Sequence, residues 1–298
     1  MSKQLKADMM LLMVALFWGI SYWLIDVSLT EIGPFTLNAL RFLISFLIAV
    51  ILAFPKLKTV NRATIKYSAI IGFVLMIVYI GATFGVKHTL LSNAGFLCAL
   101  TVVFTPILAF FVLKQRPDRK FSVVVVMCLI GIALLSLNEE LKPALGDILC
   151  LIAAFAYAVD LLLTEIAVTG GEVNAFQLGV FQLGFTGVFN LILSCLLETP
   201  SLPHTAGGWM AVLFLAVFCT GAAFIIQAMA QQYTSASHVG VIFTLEPVFA
   251  GFVAFFLAGE VLAPRAYACA ALLIAGLFLM ELDLSKVKSL FLTVRKDR

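Results

Sequence analysis

Charge is what this 298-residue sequence has least of: Asp, Glu, Lys and Arg together make up 12% of it. A soluble domain carries about 25% charged and about 45–50% apolar residues. Here 63% of residues are hydrophobic and the mean hydropathy is +1.12. A chain this long and this apolar cannot cover its surface as one water-facing core. The net charge is only +3, which excludes the basic face that a nucleic-acid partner needs. Histidine is scarce too, at three residues, His88, His204 and His238. The six cysteines (Cys98, Cys128, Cys150, Cys195, Cys219 and Cys269) all fall inside apolar runs, and none has C-x-x-C spacing. They read as small buried hydrophobes, so no metal site, disulfide framework or cofactor is expected. The chain lacks a Gly-rich phosphate loop, which argues against direct ATP drive. The start, MSKQLKADMM, has no small-residue cleavage site after its first apolar run. That run therefore reads as a retained helix and not as a cleaved signal.

Long apolar runs are what the sequence has instead. A helix needs about 20 largely apolar residues to cross a bilayer. Runs of that kind occur at roughly 8–28, 34–54, 66–86, 91–113, 120–138, 146–165, 175–197, 208–230, 236–258 and 264–282. The breaks between them carry turn chemistry or charge: Gly33-Pro34, Pro55-Lys56, Arg116-Pro117-Asp118, Glu139-Glu140, Gly170-Gly171 and Thr199-Pro200. The expectation is an all-α membrane protein of ten transmembrane helices. Lys and Arg set its orientation. With the N-terminus cytoplasmic, fifteen of them, from Lys3 and Lys6 to Arg298, fall on the cytoplasmic side. Only Lys87, Lys142 and Arg265 fall on the other, and Arg41 lies within the second span. Both termini are therefore expected in the cytoplasm.

The two halves repeat each other. An offset of 145 positions pairs Thr89 with Thr234, Ser92 with Ser237, Gly95 with Gly240 and Phe110-Phe111 with Phe255-Phe256. An offset of 139 pairs Asp8 with Asp147, Ala15 with Ala154 and Trp18-Gly19 with Tyr157-Ala158. An offset of 141 pairs Phe35 with Phe176 and Arg41 with Gln182. Five helices per half is an odd number, so the second half must enter the membrane upside down, as two inverted five-helix repeats. The expected division is 1–140 for the first repeat, 141–284 for the second and 285–298 for a basic cytoplasmic tail.

Several segments also resemble a known family. They are Ala15-Leu-Phe-Trp-Gly19 in the first span, and Ser92-Asn-Ala-Gly-Phe96 with Val103-Phe-Thr-Pro106 in the fourth. In the second half they are Leu245-Glu-Pro-Val-Phe249 and Gly259-Glu260. Their order and spacing resemble the EamA type of the drug/metabolite transporter superfamily over nearly the whole chain. One departure is Lys114-Gln115-Arg116, which stands where the other half has Gly259-Glu260. The resemblance implies a carrier of small metabolites, amino acids or drugs, with export favoured over import. The expected location is a bacterial plasma membrane.

A charged side chain at the bilayer centre costs roughly 2.5–3.5 kcal/mol on insertion scales, so each one needs a reason. Arg41, Asp160 and Glu246 stand out. Glu246 precedes Pro247, which loosens the turn before it and frees a carbonyl toward a cavity. It either faces that cavity or pairs with Arg41. Asp160 shares a helix face with Tyr157 and Thr164. Its repeat partner Ser21 shares one with Trp18 and Tyr22. These faces either flank a central cavity or pack helix on helix. Thr101 is the repeat partner of Glu246. Arg41 either binds an anionic group or pairs with a carboxylate. Arg41 can neutralise only one of the two carboxyl groups, so a cationic substrate or a coupling proton is expected.

The expected activity is secondary transport of a small-molecule substrate by alternating access, with proton coupling or exchange. The bilayer is the other expected partner, and nothing in the sequence fixes an oligomeric state. A channel remains an alternative. An intramembrane enzyme would need paired catalytic groups or a His-rich metal set, which this chain does not offer.

Overall fold

A computed structural model of the chain describes residues 3–89, 91–116, 119–136, 145–257 and 264–281. Thirteen α-helical pieces and one π turn join into ten segments, and no strand occurs among the described residues. The segments are α1 (Lys3–Leu29), α2 (Pro34–Leu57), α3 (Arg62–His88), α4a (Leu91–Ala99), α4b (Thr101–Leu113), α5 (Arg119–Ser136) and α6 (Leu145–Thr169). They continue with α7 (Ala175–Leu197), α8 (Ala206–Ala230), α9a (Ala236–Phe243), α9b (Glu246–Leu257) and α10 (Pro264–Glu281). Seven of the described helices are long and apolar enough to cross a membrane. The breaks expected at Pro117-Asp118 and Glu139-Glu140, the family-like segment Gly259-Glu260, the junction at 140/141 and the tail 285–298 lie outside the described residues.

Local chemistry sets the helix ends. Asn61, Asn174, Thr205 and Ser235 each accept a bond from the amide three residues on, at 2.7, 3.1, 3.0 and 3.3 Å, and so cap α3, α7, α8 and α9a. Pro34 opens α2, where its missing N–H costs nothing. Pro55 lies inside α2, and the chain kinks at Ala53 two residues before it. Lys114 ends α4b in the left-handed conformation.

The helices run up and down between two ends. The proximal end holds the start of α1 and the α2–α3, α6–α7 and α8–α9 connections. The distal end holds the α1–α2, α3–α4 and α7–α8 connections. Helices at matching repeat positions pack on each other: α2 on α7, α5 on α10, and α4 on α9. The other contacts come in matched sets, with α3 on α6 as α8 is on α1, and α4 on α6 as α9 is on α1.

The α2–α7 pair is antiparallel and tied at both ends. At the distal end, Glu198 accepts from the Phe35 and Thr36 amides at 3.1 and 3.0 Å. At the proximal end, Gln177 Nε2 donates to the Lys56 carbonyl at 2.8 Å. Between them, Ser45 on α2 donates to the Ala216 carbonyl of α8, and Thr186 on α7 donates to the Gly72 carbonyl of α3. These two bonds occupy matching positions, since 186 − 45 is 141 and 216 − 72 is 144.

The distal tie between α1 and α8 depends on a carboxylate outside the spans. Glu31 accepts from the Thr205 hydroxyl, from the Thr205 amide at 3.1 Å and from the His204 amide at 2.7 Å. These bonds, the Thr205 ones foremost, hold its carboxyl below the usual value. A depressed carboxyl stabilises the fold above its ordinary range, and that contribution is lost as pH falls through the lowered value. The protection of the His204 and Thr205 amides, taken as the intrinsic exchange rate at each pH over the observed rate, should therefore be high at neutral pH and fall in acid. In Glu31→Gln it should be low and independent of pH across the same range.

Candidate functional site: a cavity at two broken helices

Two of the ten segments break in mid-span, at matching places. α4 breaks at Leu100 and α9 at Thr244-Leu245. Both turns are tight: the Leu100 amide reaches the Leu97 carbonyl at 3.2 Å, and the Leu245 amide reaches Ile242 at 3.1 Å. Leu100 and Leu245 are 145 positions apart, so the breaks are repeat partners. Thr101 and Glu246 are the first residues after them. This corrects the reading of Glu246 as lying within one continuous helix loosened by Pro247. The turn comes before Glu246, and Pro247 is the second residue of a new helix, where no intrahelical donor is needed.

A cavity of about 80 Å³ lies against both breaks. Trp18, Ser21 and Tyr22 of α1, Thr101 of α4b, Tyr157 of α6 and Glu246 of α9b line it. The structure thus brings six of the eight singled-out residues together. Tyr79 of α3 also lines it, as do Cys98 of α4a and Phe224 of α8. Sequence reasoning singled out neither Tyr79 nor Phe224, and it read Cys98 as a small buried hydrophobe.

The polar groups of the wall are already engaged. Tyr22 donates its hydroxyl to Glu246 Oε1 at 2.6 Å. Trp18 Nε1 donates to the Cys219 carbonyl at 2.9 Å. Ser21 donates to the Trp18 carbonyl at 2.8 Å. Thr101 donates to the Cys98 and Ala154 carbonyls at 2.8 and 3.0 Å. An aromatic block closes one side: the Trp18 ring lies 4.7 Å from Phe243, 5.5 Å from Phe224 and 5.6 Å from Tyr157.

The Cys219 carbonyl is available because α8 widens into a π turn at Val217–Ala222. The Ala223 amide reaches back to Phe218 and not to Cys219. Irregular turns of this kind gather at functional sites.

Asp160 and Arg41 do not line the cavity. Asp160 is 1% exposed. Its Oδ2 accepts from Gln227 Nε2 at 3.3 Å, while Oδ1 has no hydrogen-bond partner. Gln227 in turn accepts the Tyr157 hydroxyl at 2.8 Å, so Asp160 communicates with the cavity through one carboxamide. Gln227 also donates to Gln231 at 3.2 Å.

Arg41 is fully buried. It was expected to bind an anion or to pair with a carboxylate. Among the described residues it pairs with no carboxylate. Its Nε donates to Thr220 Oγ1 at 2.7 Å, Nη2 to the Cys219 carbonyl at 3.4 Å, and its guanidinium lies 4.8 Å from the Tyr79 ring centre. The π turn supplies both acceptors, and Nη1 has no hydrogen-bond partner among the described residues.

Sequence reasoning missed Glu165. It is 8% exposed and accepts from the Ala236 amide of α9a at 2.6 Å and from Gln115 Nε2 at 3.0 Å. It fastens α6, α9a and the end of α4b at the proximal end. Beside it Asp8 of α1 pairs with His238 of α9a at 3.2 Å. The signal was available: Glu165 stands five residues after Asp160 and just before the Gly170-Gly171 helix stop. Among the described residues, no group of three or more His, Cys, Asp or Glu side chains could hold a metal ion.

Comparison with known proteins follows the same lines. The profile of the EamA-like transporter family matches the chain in two stretches, residues 5–137 and 144–282. The chain is 28% identical over 280 residues to an uncharacterized transporter of Archaeoglobus fulgidus, covering 94% of this chain and 87% of that one. It is 29% identical over 163 residues, 51% of each chain, to a "probable amino-acid metabolite efflux pump" of Salmonella typhimurium. A crystal structure with 18% identity superposes with a TM-score of 0.77, over 93% of this chain and 96% of its own, and so shares the fold.

The close approach of α1 to α9b makes Gly19 a test of the site. A Cβ at Gly19 would lie 2.5 Å from Phe249 Cβ and 2.9 Å from the Ala250 amide nitrogen. Backbone cannot yield as a side-chain tip does, so Gly19→Ala should cost about 1–3 kcal/mol. Thermal unfolding of the purified protein should show the loss. Ala15→Gly, one turn back on the same helix, should not separate α1 from α9b.

Proposed function

As a member of the EamA-like transporter family, this protein is a multi-pass membrane transporter, and we propose that it works as a secondary transporter by alternating access. One observation carries the proposal: helices of both halves build a single cavity at their paired breaks, with a carboxylate on one break and a hydroxyl on the other. Irregular backbone at membrane depth is tolerated where it lines a cavity, and binding sites of inverted-repeat transporters use it that way.

The inverted relation of the halves has three supports. Equivalent helices α2 and α7 are antiparallel, a hydroxyl on each bonds a carbonyl at the matching position of α8 or α3, and one family profile fits each half in turn. Both termini are assigned to the cytoplasm on the Lys and Arg bias. The proximal end is then cytoplasmic. The ties at Glu165 and Asp8 close that side, and the cavity belongs to the outer half.

The substrate is a small metabolite, and export is the direction we assign. The support is a relative, matched over half its length, that is named an efflux pump. Coupling to protons uses the two carboxyl groups. Glu246 faces the cavity, and Asp160 is linked to it through Gln227 and Tyr157.

Two measurements test this. Reporter fusions after Pro55 and Arg116 should read as cytoplasmic, and fusions near Glu140 and His204 as the opposite side. A cytoplasmic signal at Glu140 would overturn the topology and with it the inverted repeat. Separately, Glu246→Gln with Asp160→Asn should abolish pH-dependent transport in proteoliposomes while leaving the folded yield largely intact. An unchanged rate and pH profile would make both carboxyl groups structural.

A further inference from the structure

The hydrogen atoms of the cavity wall define what the cavity can bind. Trp18, Ser21 and Thr101 donate to backbone carbonyls. A carbonyl can only accept, so the direction of these bonds is fixed. Tyr22 faces a carboxylate oxygen, and an ionised carboxylate is also acceptor-only. Tyr157 needs one more step. Gln231 Nε2 donates to the Leu161 carbonyl, so its oxygen faces Gln227 Nε2, the Gln227 oxygen faces Tyr157, and the Tyr157 hydroxyl must donate to it. Every one of these protons points into protein. Whatever oxygen these side chains show to the cavity can only accept.

Glu246 adds a second carboxylate oxygen, since Tyr22 engages Oε1. Among the described polar lining residues, Tyr79 alone keeps a hydroxyl without a hydrogen-bond partner. Apart from the Cys98 thiol, the remaining surface is aromatic or aliphatic, with Trp18, Phe224, Ile25, Val78 and Ala82. Arg41 does not line the cavity and lies against the Tyr79 ring, 4.8 Å from its centre.

We infer that the cavity takes an organic ammonium ion with an apolar body, the N–H groups on Glu246 and on the lone pairs of the wall, the body against the rings. Aromatic faces favour such a cation further. An anion of the same shape meets a carboxylate and acceptor oxygens, with one hydroxyl to offset them. This assignment rests on the proposed role of the cavity as the substrate site.

The full-length protein in detergent provides the test, by calorimetry with four probes of one shape: phenethylammonium, its N,N,N-trimethyl analogue, 2-phenylethanol and phenylacetate. Phenethylammonium should bind and phenylacetate should not. Glu246→Gln should weaken phenethylammonium by about 10- to 100-fold and leave 2-phenylethanol unchanged. Tyr157→Phe should weaken phenethylammonium by several-fold, roughly the worth of one hydrogen bond, and leave the trimethyl analogue unchanged. A packing defect would lower both amines together. Phenylacetate binding as tightly as the amine, or an amine affinity unmoved by Glu246→Gln, overturns the inference.

Counterflow in proteoliposomes separates this failure from failure of the transport reading. Exchange of phenylacetate without exchange of the amine overturns the ammonium assignment and leaves transport standing. Amine binding that depends on Glu246 but drives no counterflow supports the ammonium site and removes its role in transport.

Discussion

Inside a bilayer no water is present to satisfy a backbone group that its own helix leaves unpaired. This chain has interruptions at Leu100, at Thr244-Leu245 and in the π turn of α8, and each one organises the side chains around it. The π turn releases the Cys219 carbonyl, which draws the indole of Trp18 and the guanidinium of Arg41. The breaks at Leu100 and Leu245 place Thr101 and Glu246 at the start of new helices, facing one cavity. The wall of the site is therefore a consequence of backbone accounting. Remove the π turn, and Trp18 and Arg41 both lose an acceptor in a medium that offers no other.

The treatment of charge follows from the same constraint. A buried guanidinium and two buried carboxyl groups could have been joined as an ion pair, the usual way to lower the cost of charge in a membrane. Here they are kept apart. Arg41 takes a hydroxyl, a carbonyl and an aromatic face. Asp160 takes a carboxamide, and Glu246 takes a phenol. A direct pair would have hidden both partners from a ligand or a proton. Separation leaves Glu246 facing the cavity, with Asp160 linked to it only through Gln227 and Tyr157.

Much of the fold was legible in the sequence, because composition and run length report directly on the bilayer. The ten expected runs coincide with the ten segments. Gly33-Pro34, Gly170-Gly171 and Thr199-Pro200 fall where helices change over. Six residues of the cavity wall were legible because repeat offsets pair positions that share an environment. Three features were not. The helix breaks lack a glycine or proline at the turn itself, so Leu100 and Leu245 look like any apolar residue. The π turn leaves no mark in hydropathy. The partners of Arg41 are a carbonyl and a hydroxyl contributed from 178 and 179 positions away, which a pattern read along one helix cannot reveal. Glu165 sat in plain view, but its role depends on an amide in α9a that only the packing brings to it.

The two halves share a scaffold and divide the chemistry. At matching positions the first half has Trp18, Ser21, Arg41 and Thr101, and the second has Tyr157, Asp160, Gln182 and Glu246. Both carboxyl groups thus belong to the second half and the guanidinium to the first. A scaffold whose halves exchange roles offers two arrangements of similar energy, one open to each side, since the same helix contacts are remade in mirrored order. Equal energies alone would give a carrier with no preference. The unequal side chains supply the difference, because a bound cation or a proton meets the carboxyl groups from one half only and so favours one arrangement over the other. In the alternating-access mechanism proposed above, the repeated positions would build the two states, and the positions where the repeats disagree would decide what shifts the balance between them.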